Sequence, residues 1–158
     1  MSERIQKLIE GLATARSNLF AALDSIGDHG EEQIYSDGAG WTVRQLVTHL
    51  MISERGVAKV IQQVAEGGNP IPADYDVDRY NLRSVEKQPD VTVEHAKSAM
   101  QASRAEFTAW LQALPDEKLD NIGRHPQLMD LPVWRFIEIQ AIHEQRHASD
   151  IEAHLQNA

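Results

Sequence analysis

The sequence predicts an all-α protein, a four-helix bundle with long connections between helices 2 and 3 and helices 3 and 4. Three observations carry that prediction. Four stretches of roughly 20 residues repeat apolar side chains at helical spacing. The segments between them hold most of the chain breakers. No segment alternates apolar and polar residues long enough to make a useful strand. Helices of this length pack most simply as a bundle. The 158 residues suit one domain, residues 1–158, with no internal repeat visible.

The first helix is expected over Glu3 to Ile26. Ile5, Leu8, Ile9, Leu12, Leu19, Leu23 and Ile26 share one face, and Gly27-Asp28-His29-Gly30 stops it. A loop with Gly38 and Gly40 follows. The second helix has the best-marked start. Thr42 is an N-cap and Gln45 completes a capping box, while Trp41 and Leu46 have the spacing of a hydrophobic staple. This helix ends near Glu66, before Gly67-Gly68-Asn69-Pro70. A polar connection from Ile71 to about Asp90 is long for a compact domain, which points to function or to some helix within it. The third helix runs from Thr92 to Leu114 with Ala96, Ala99, Met100, Ser103, Phe107 and Trp110 inward, and Pro115 closes it. The fourth opens at Asp130 or Leu131, with Pro132 in its first turn, and runs to near the C-terminus.

Composition removes several functions. There are no cysteines, so the chain offers no disulfide, zinc ribbon, iron–sulfur cluster or thiol nucleophile of its own. Any metal is held by nitrogen and oxygen. The formal charge of −9 repels phosphate backbones and anionic membranes, so no nucleic-acid or membrane partner is expected. No apolar run reaches the roughly 18 residues of a membrane span, and the N-terminus lacks a signal-peptide pattern. A cytoplasmic protein is the expectation.

The strongest chemical signal is His143-Glu144-Gln145-Arg146-His147. Imidazoles at i and i+4 lie on one helix face and can share a metal. His49, two turns into the second helix among Leu46, Leu50 and Met51, is the third candidate ligand. Glu144, Gln140 and Glu54 are candidates to orient the imidazoles from behind; Glu144 also reads as a solvated surface charge. The five residues spell His-Glu-x-x-His, in which Glu144 would be the general base of a metallopeptidase. The long form of that motif needs Gly at 150 and His at 153, where this chain has Asp150 and Ala153. A dinuclear carboxylate site lacks its second Glu-x-x-His. Asp74, Asp76 and Asp78 open like a calcium loop, but Arg79 and Val85 break the pattern. Arg79, Tyr80 and Asn81 are instead candidates for a cavity mouth. His29, His95, His125 and His154 read as surface or boundary residues, and Trp110 and Trp134 as core.

Trp41-Thr42-Val43-Arg44-Gln45-Leu46-Val47-Thr48-His49-Leu50 resembles the second helix of the DinB/YfiT-like superfamily, and His143-Glu144-Gln145-Arg146-His147-Ala148 resembles its last. The likeness extends through Asp76-Val77-Asp78-Arg79-Tyr80-Asn81 and Gly123-Arg124-His125-Pro126. The resemblance implies a metal-binding four-helix bundle with His49, His143 and His147 as ligands. It also implies a homodimer and, in some branches, transferases or isomerases that use thiols such as bacillithiol or mycothiol. The mycothiol branch carries a glutamate where this chain has His143. Three imidazoles leave an open position for water or thiol. Such a donor set suits zinc or nickel, and also iron, copper or cobalt. The expected function is therefore a metal-dependent transferase or hydrolase acting on a small molecule. A non-catalytic metal- or ligand-binding bundle is the alternative, with a peptidase behind it.

Overall fold

The structure is a computed structural model that describes residues 1–36 and 39–158; the expected Gly38 loop lies outside them in part. Helix α1 (Glu3–Asp24) is followed by a 3-10 turn (Gly27–Glu31) and the strands β1 (Gln33–Ser36) and β2 (Ala39–Thr42). Next come α2 (Val43–Ala65) and α3 (Val77–Glu86). Helix α4 (Val93–Ala113) leads to a second 3-10 turn (Asp116–Asp120), strands β3 (Ile122–Arg124) and β4 (Asp130–Pro132), and α5 (Val133–Gln156).

The four long helices form the expected bundle. Helix α1 lies along α5, α2 lies against α4 and α5, and α1 also meets α4. Each start has a local cause. Ser2, Asp76 and Thr92 accept backbone N–H bonds at the heads of α1, α3 and α4. At α2 both arms of the capping box form: the Gln45 N–H donates to Thr42 Oγ1 at 3.2 Å, and the Thr42 N–H donates to Gln45 Oε1 at 2.9 Å.

Several boundaries differ from the sequence expectation. Short strands exist after all: β1 pairs with β2 and β3 with β4, both antiparallel. With four residues or fewer in each, none is long enough to show a period. Asp130 and Leu131 belong to β4, so α5 opens at Val133 with Pro132 as its N-cap. The long connection after α2 contains α3. On α4 the buried stripe is Ala96, Met100, Arg104, Phe107 and Leu111, so Ser103 stands at its edge and a charged residue lies within it.

The two halves repeat one design that the sequence does not display. Each runs helix, 3-10 turn, hairpin, helix. The joints match: the Val43 N–H donates to Glu32 O, and the Val133 N–H to Asn121 O, both at 3.0 Å. Each hairpin thus feeds directly into a histidine-bearing helix. The apolar core falls into two clusters, one around Leu19, Leu46, Met100 and Ile151, the other around Leu12, Ile61, Leu111 and Phe136. Between them each of the four long helices carries one largely buried charged residue.

Candidate metal centre

Helix α2 places His49 six residues after its capped start. The ring is 2% exposed, and Trp41 from β2 packs on it with centroids 4.8 Å apart. Helix α5 places His143 and His147 one turn apart, with centroids 4.4 Å apart and Nε2 atoms 3.0 Å apart. The His49 ring stands edge-on to both, at 5.6 and 5.9 Å. One ring nitrogen from each residue lies within 4.8 Å of the other two. An ion bonded tetrahedrally to nitrogens at ~2.0–2.1 Å keeps them about 3.3 Å apart. The donor set therefore fits one divalent ion in chemistry and in scale. Among the described residues no carboxylate joins the group. Asp150 Oδ2 stands 3.4 Å from His147 Nδ1, where a carboxylate orients the ring and favours the proton on Nδ1, leaving the Nε2 lone pair for a metal.

The other expected residues divide. Gln140 lines a cavity of about 300 Å³ that adjoins His49 and His143. Tyr80 and Asn81, on α3, also line it, whereas Arg79 does not. Asp76 caps α3 and Asp78 borders the cavity. Glu144 is no solvated surface charge: it is 3% exposed, because it stands one residue off the ligand face toward the bundle axis. A larger, more open groove between α1 and α5, of about 740 Å³, holds no histidine.

Glu144 and Glu54 belong to a closed ring of four charges, one from each long helix. Arg16 Nη2 donates to Glu54 Oε2 at 2.6 Å and Arg16 Nε donates to Glu144 Oε1. Arg104 Nε donates to Glu54 Oε1 at 2.9 Å and Arg104 Nη2 to Glu144 Oε2 at 2.7 Å. The remaining guanidinium groups reach main-chain oxygens, Arg16 to Met100 O at 2.9 Å and Arg104 to Leu12 O at 3.0 Å. All four carboxylate oxygens are thereby filled and the net charge is zero, the condition under which buried ions are tolerable. Burial still pushes the Glu54 carboxyl above its ordinary value, against the pull of Arg104 and Arg16. The ring holds α2 and α5 in register beside the histidines they carry.

Three residues of the site were missed or misread in the sequence. Arg16 and Arg104 were not singled out, although each interrupts an apolar stripe, Leu12–Arg16–Leu19 and Met100–Arg104–Phe107. His125 is not a surface residue. It is 6% exposed, rests on Phe136 with centroids 5.0 Å apart, and lines the cavity. Burial, with a smaller push from His143, lowers its pKa to about 4, so it is neutral at pH 7.

Comparison with known proteins agrees with this architecture. A protein of Oceanobacillus iheyensis named "Putative metal-dependent hydrolase OB0413" is 22% identical over 157 residues, 98% of this chain and 87% of that protein. YfiT from Bacillus subtilis, described as a probable metal-dependent hydrolase with an unusual four-helix bundle topology, superposes with a TM-score of 0.78. It is 22% identical, over 97% of this chain and 87% of YfiT. The mycothiol-dependent maleylpyruvate isomerase shares the fold at a TM-score of 0.76 and 13% identity, over 96% of this chain and 63% of the isomerase. The profile of the DinB superfamily matches residues 11–151, and the chain belongs to that superfamily.

Proposed function

We propose that the chain is a metal-dependent enzyme of hydrolase type, with His49, His143 and His147 as ligands of one divalent ion and the adjoining cavity as the substrate site. The observation that carries this reading is the position of the cluster: two of the three imidazoles border a cavity of about 300 Å³. A structural site is closed by a fourth protein ligand, whereas a catalytic one keeps a position open to solvent or substrate. Among the described residues the cluster offers three ligands and stops.

An ion held this way supplies Lewis acidity, which brings the pKa of a water ligand to ~7 and deprotonates a thiol. The chain's own part is to orient the imidazoles, through Asp150 behind His147 and Trp41 against His49. Water is the favoured nucleophile on size, because the cavity is at the small end for ligand pockets. A low-molecular-weight thiol is the second reading, supported by a structural neighbour described as mycothiol-dependent. The peptidase reading loses its base, since both Glu144 oxygens are bonded to arginines and Glu144 does not line the cavity. Zinc or nickel suits three nitrogens best, with iron, copper or cobalt also compatible.

Elemental analysis of tag-free protein tests the site. One ion per chain is expected, with stoichiometry collapsing in His49→Ala, His143→Ala and His147→Ala. Undiminished metal in all three variants would overturn the assignment. Hydrolysis of small esters and amides, measured beside consumption of small thiols, separates the two nucleophiles.

A further inference from the structure

His125 is a buried imidazole in the cavity wall for which the metal centre has no use. It lies on the loop between β3 and β4, against Phe136, and is more than nine-tenths buried. Its Nδ1 accepts the Gln127 backbone N–H at 3.2 Å. A neutral imidazole carries one proton, so acceptance at Nδ1 puts that proton on Nε2. Among the described residues, no protein group takes the Nε2–H. The ring is thus a fixed neutral donor, and the burial that lowers its pKa to about 4 keeps it one at pH 7.

The rest of the wall defines what such a donor would meet. Val57, Val60 and Ile71 make much of the surface apolar, and Ser53, Asn81 and Gln140 add neutral polar groups. Among the described residues the one formally charged side chain there is Asp78, and no lysine or arginine lines the cavity. An anionic ligand would face a carboxylate and a net charge of −9 without a compensating cation from the protein. A neutral acceptor oxygen pays no such penalty, and a preorganised neutral donor polarises it without burying a charge.

We propose that the cavity binds a small uncharged carbonyl compound and that His125 donates its Nε2–H to the carbonyl oxygen, a subsite resting on the reading of this cavity as the substrate site. In the metal-free protein the charges of the wall set the cavity against carboxylates and phosphate esters.

The test uses full-length protein stripped with chelator, so that no anion is drawn to a metal. Acetophenone, benzoate and toluene serve as matched probes, titrated by NMR with the histidine side-chain nitrogens observed. Acetophenone is expected to shift the His125 signals and to bind at least tenfold more tightly than benzoate. His125→Leu should weaken acetophenone about fivefold and leave toluene unchanged; His125→Gln, which keeps an N–H, should restore most of the loss. Benzoate binding as tightly as acetophenone would overturn the proposal. So would a Leu variant that weakens toluene and acetophenone equally, since packing alone would then explain it. Because no metal is present, failure here and failure of the metal stoichiometry are separate results.

Discussion

Replacing Arg104 with Met tests whether the four-charge ring holds the bundle together. Arg104 is 9% exposed and donates to Glu54, to Glu144 and to the Leu12 carbonyl, at 2.9, 2.7 and 3.0 Å. Methionine keeps much of the apolar stem and removes all three bonds. Two buried carboxylates would then share Arg16 alone. Removing one partner from a buried ion pair costs about 3–5 kcal/mol, because the other charge stays behind unpaired. At about 2–4 °C per kcal/mol for a chain of this size, the midpoint should fall by roughly 6–20 °C. The pH dependence has a definite sign. Glu54 is already held above its ordinary value by burial, and loss of Arg104 raises it further. A carboxyl raised in the folded state favours folding at low pH, and that contribution is lost as pH rises through its folded pKa. The deficit of the variant should therefore be largest near neutrality and shrink on acidification. Urea unfolding of chelator-treated protein, followed by circular dichroism, measures it without interference from metal linkage. Adding Glu54→Gln leaves Arg16 and Glu144 as a neutral pair and should recover a large part of the loss. A single variant within about 1 kcal/mol of the parent, well below the buried-pair range, would refute the reasoning. So would a double variant whose loss is the plain sum of the singles.

Three further outcomes follow from particular contacts. His125, with its pKa lowered to about 4, is neutral in the folded protein while the unfolded ring takes a proton below about 6.5. Stability should thus fall between pH ~6.5 and ~4, by on the order of 2 kcal/mol once solvent at the cavity is allowed for, and His125→Leu should flatten that slope in urea titrations. Gly123→Ala would place a methyl 2.5 Å from Val64 Cγ2 and 2.8 Å from Cγ1, where β3 crosses α2. A loss of about 1–3 kcal/mol is expected from thermal unfolding. Thr42→Ala breaks the capping box at the head of the His49 helix and should cost about 1 kcal/mol, with amide exchange accelerated in the first turn of α2.

Much of this protein is legible from local pattern. Apolar spacing located the four long helices, and Thr42 with Gln45 located the start of α2 to the residue, because those signals act within four positions. The His143–His147 pair is equally local, since i and i+4 share a face whatever packs against it. His49 could be named as a candidate, but its meeting with that pair depends on how α2 lies against α5. The short hairpins left no trace, being too brief for a period and held by pairing and by the helices they feed. The ring was hidden for a different reason. Arg16, Glu54, Arg104 and Glu144 each look like an isolated charge on a helix, and the bonds that neutralise them span 128, 38, 50 and 40 residues. His125 was misread for the same cause: its burial comes from Phe136, on a helix that begins after it. By itself, then, the sequence determined the four long helices, the cap of α2 and the candidate metal-binding pair, which rest on contacts within a turn. Only the tertiary structure decided which charges cancel, which histidine is buried and where the cavity opens, because each depends on groups that meet only when the helices pack.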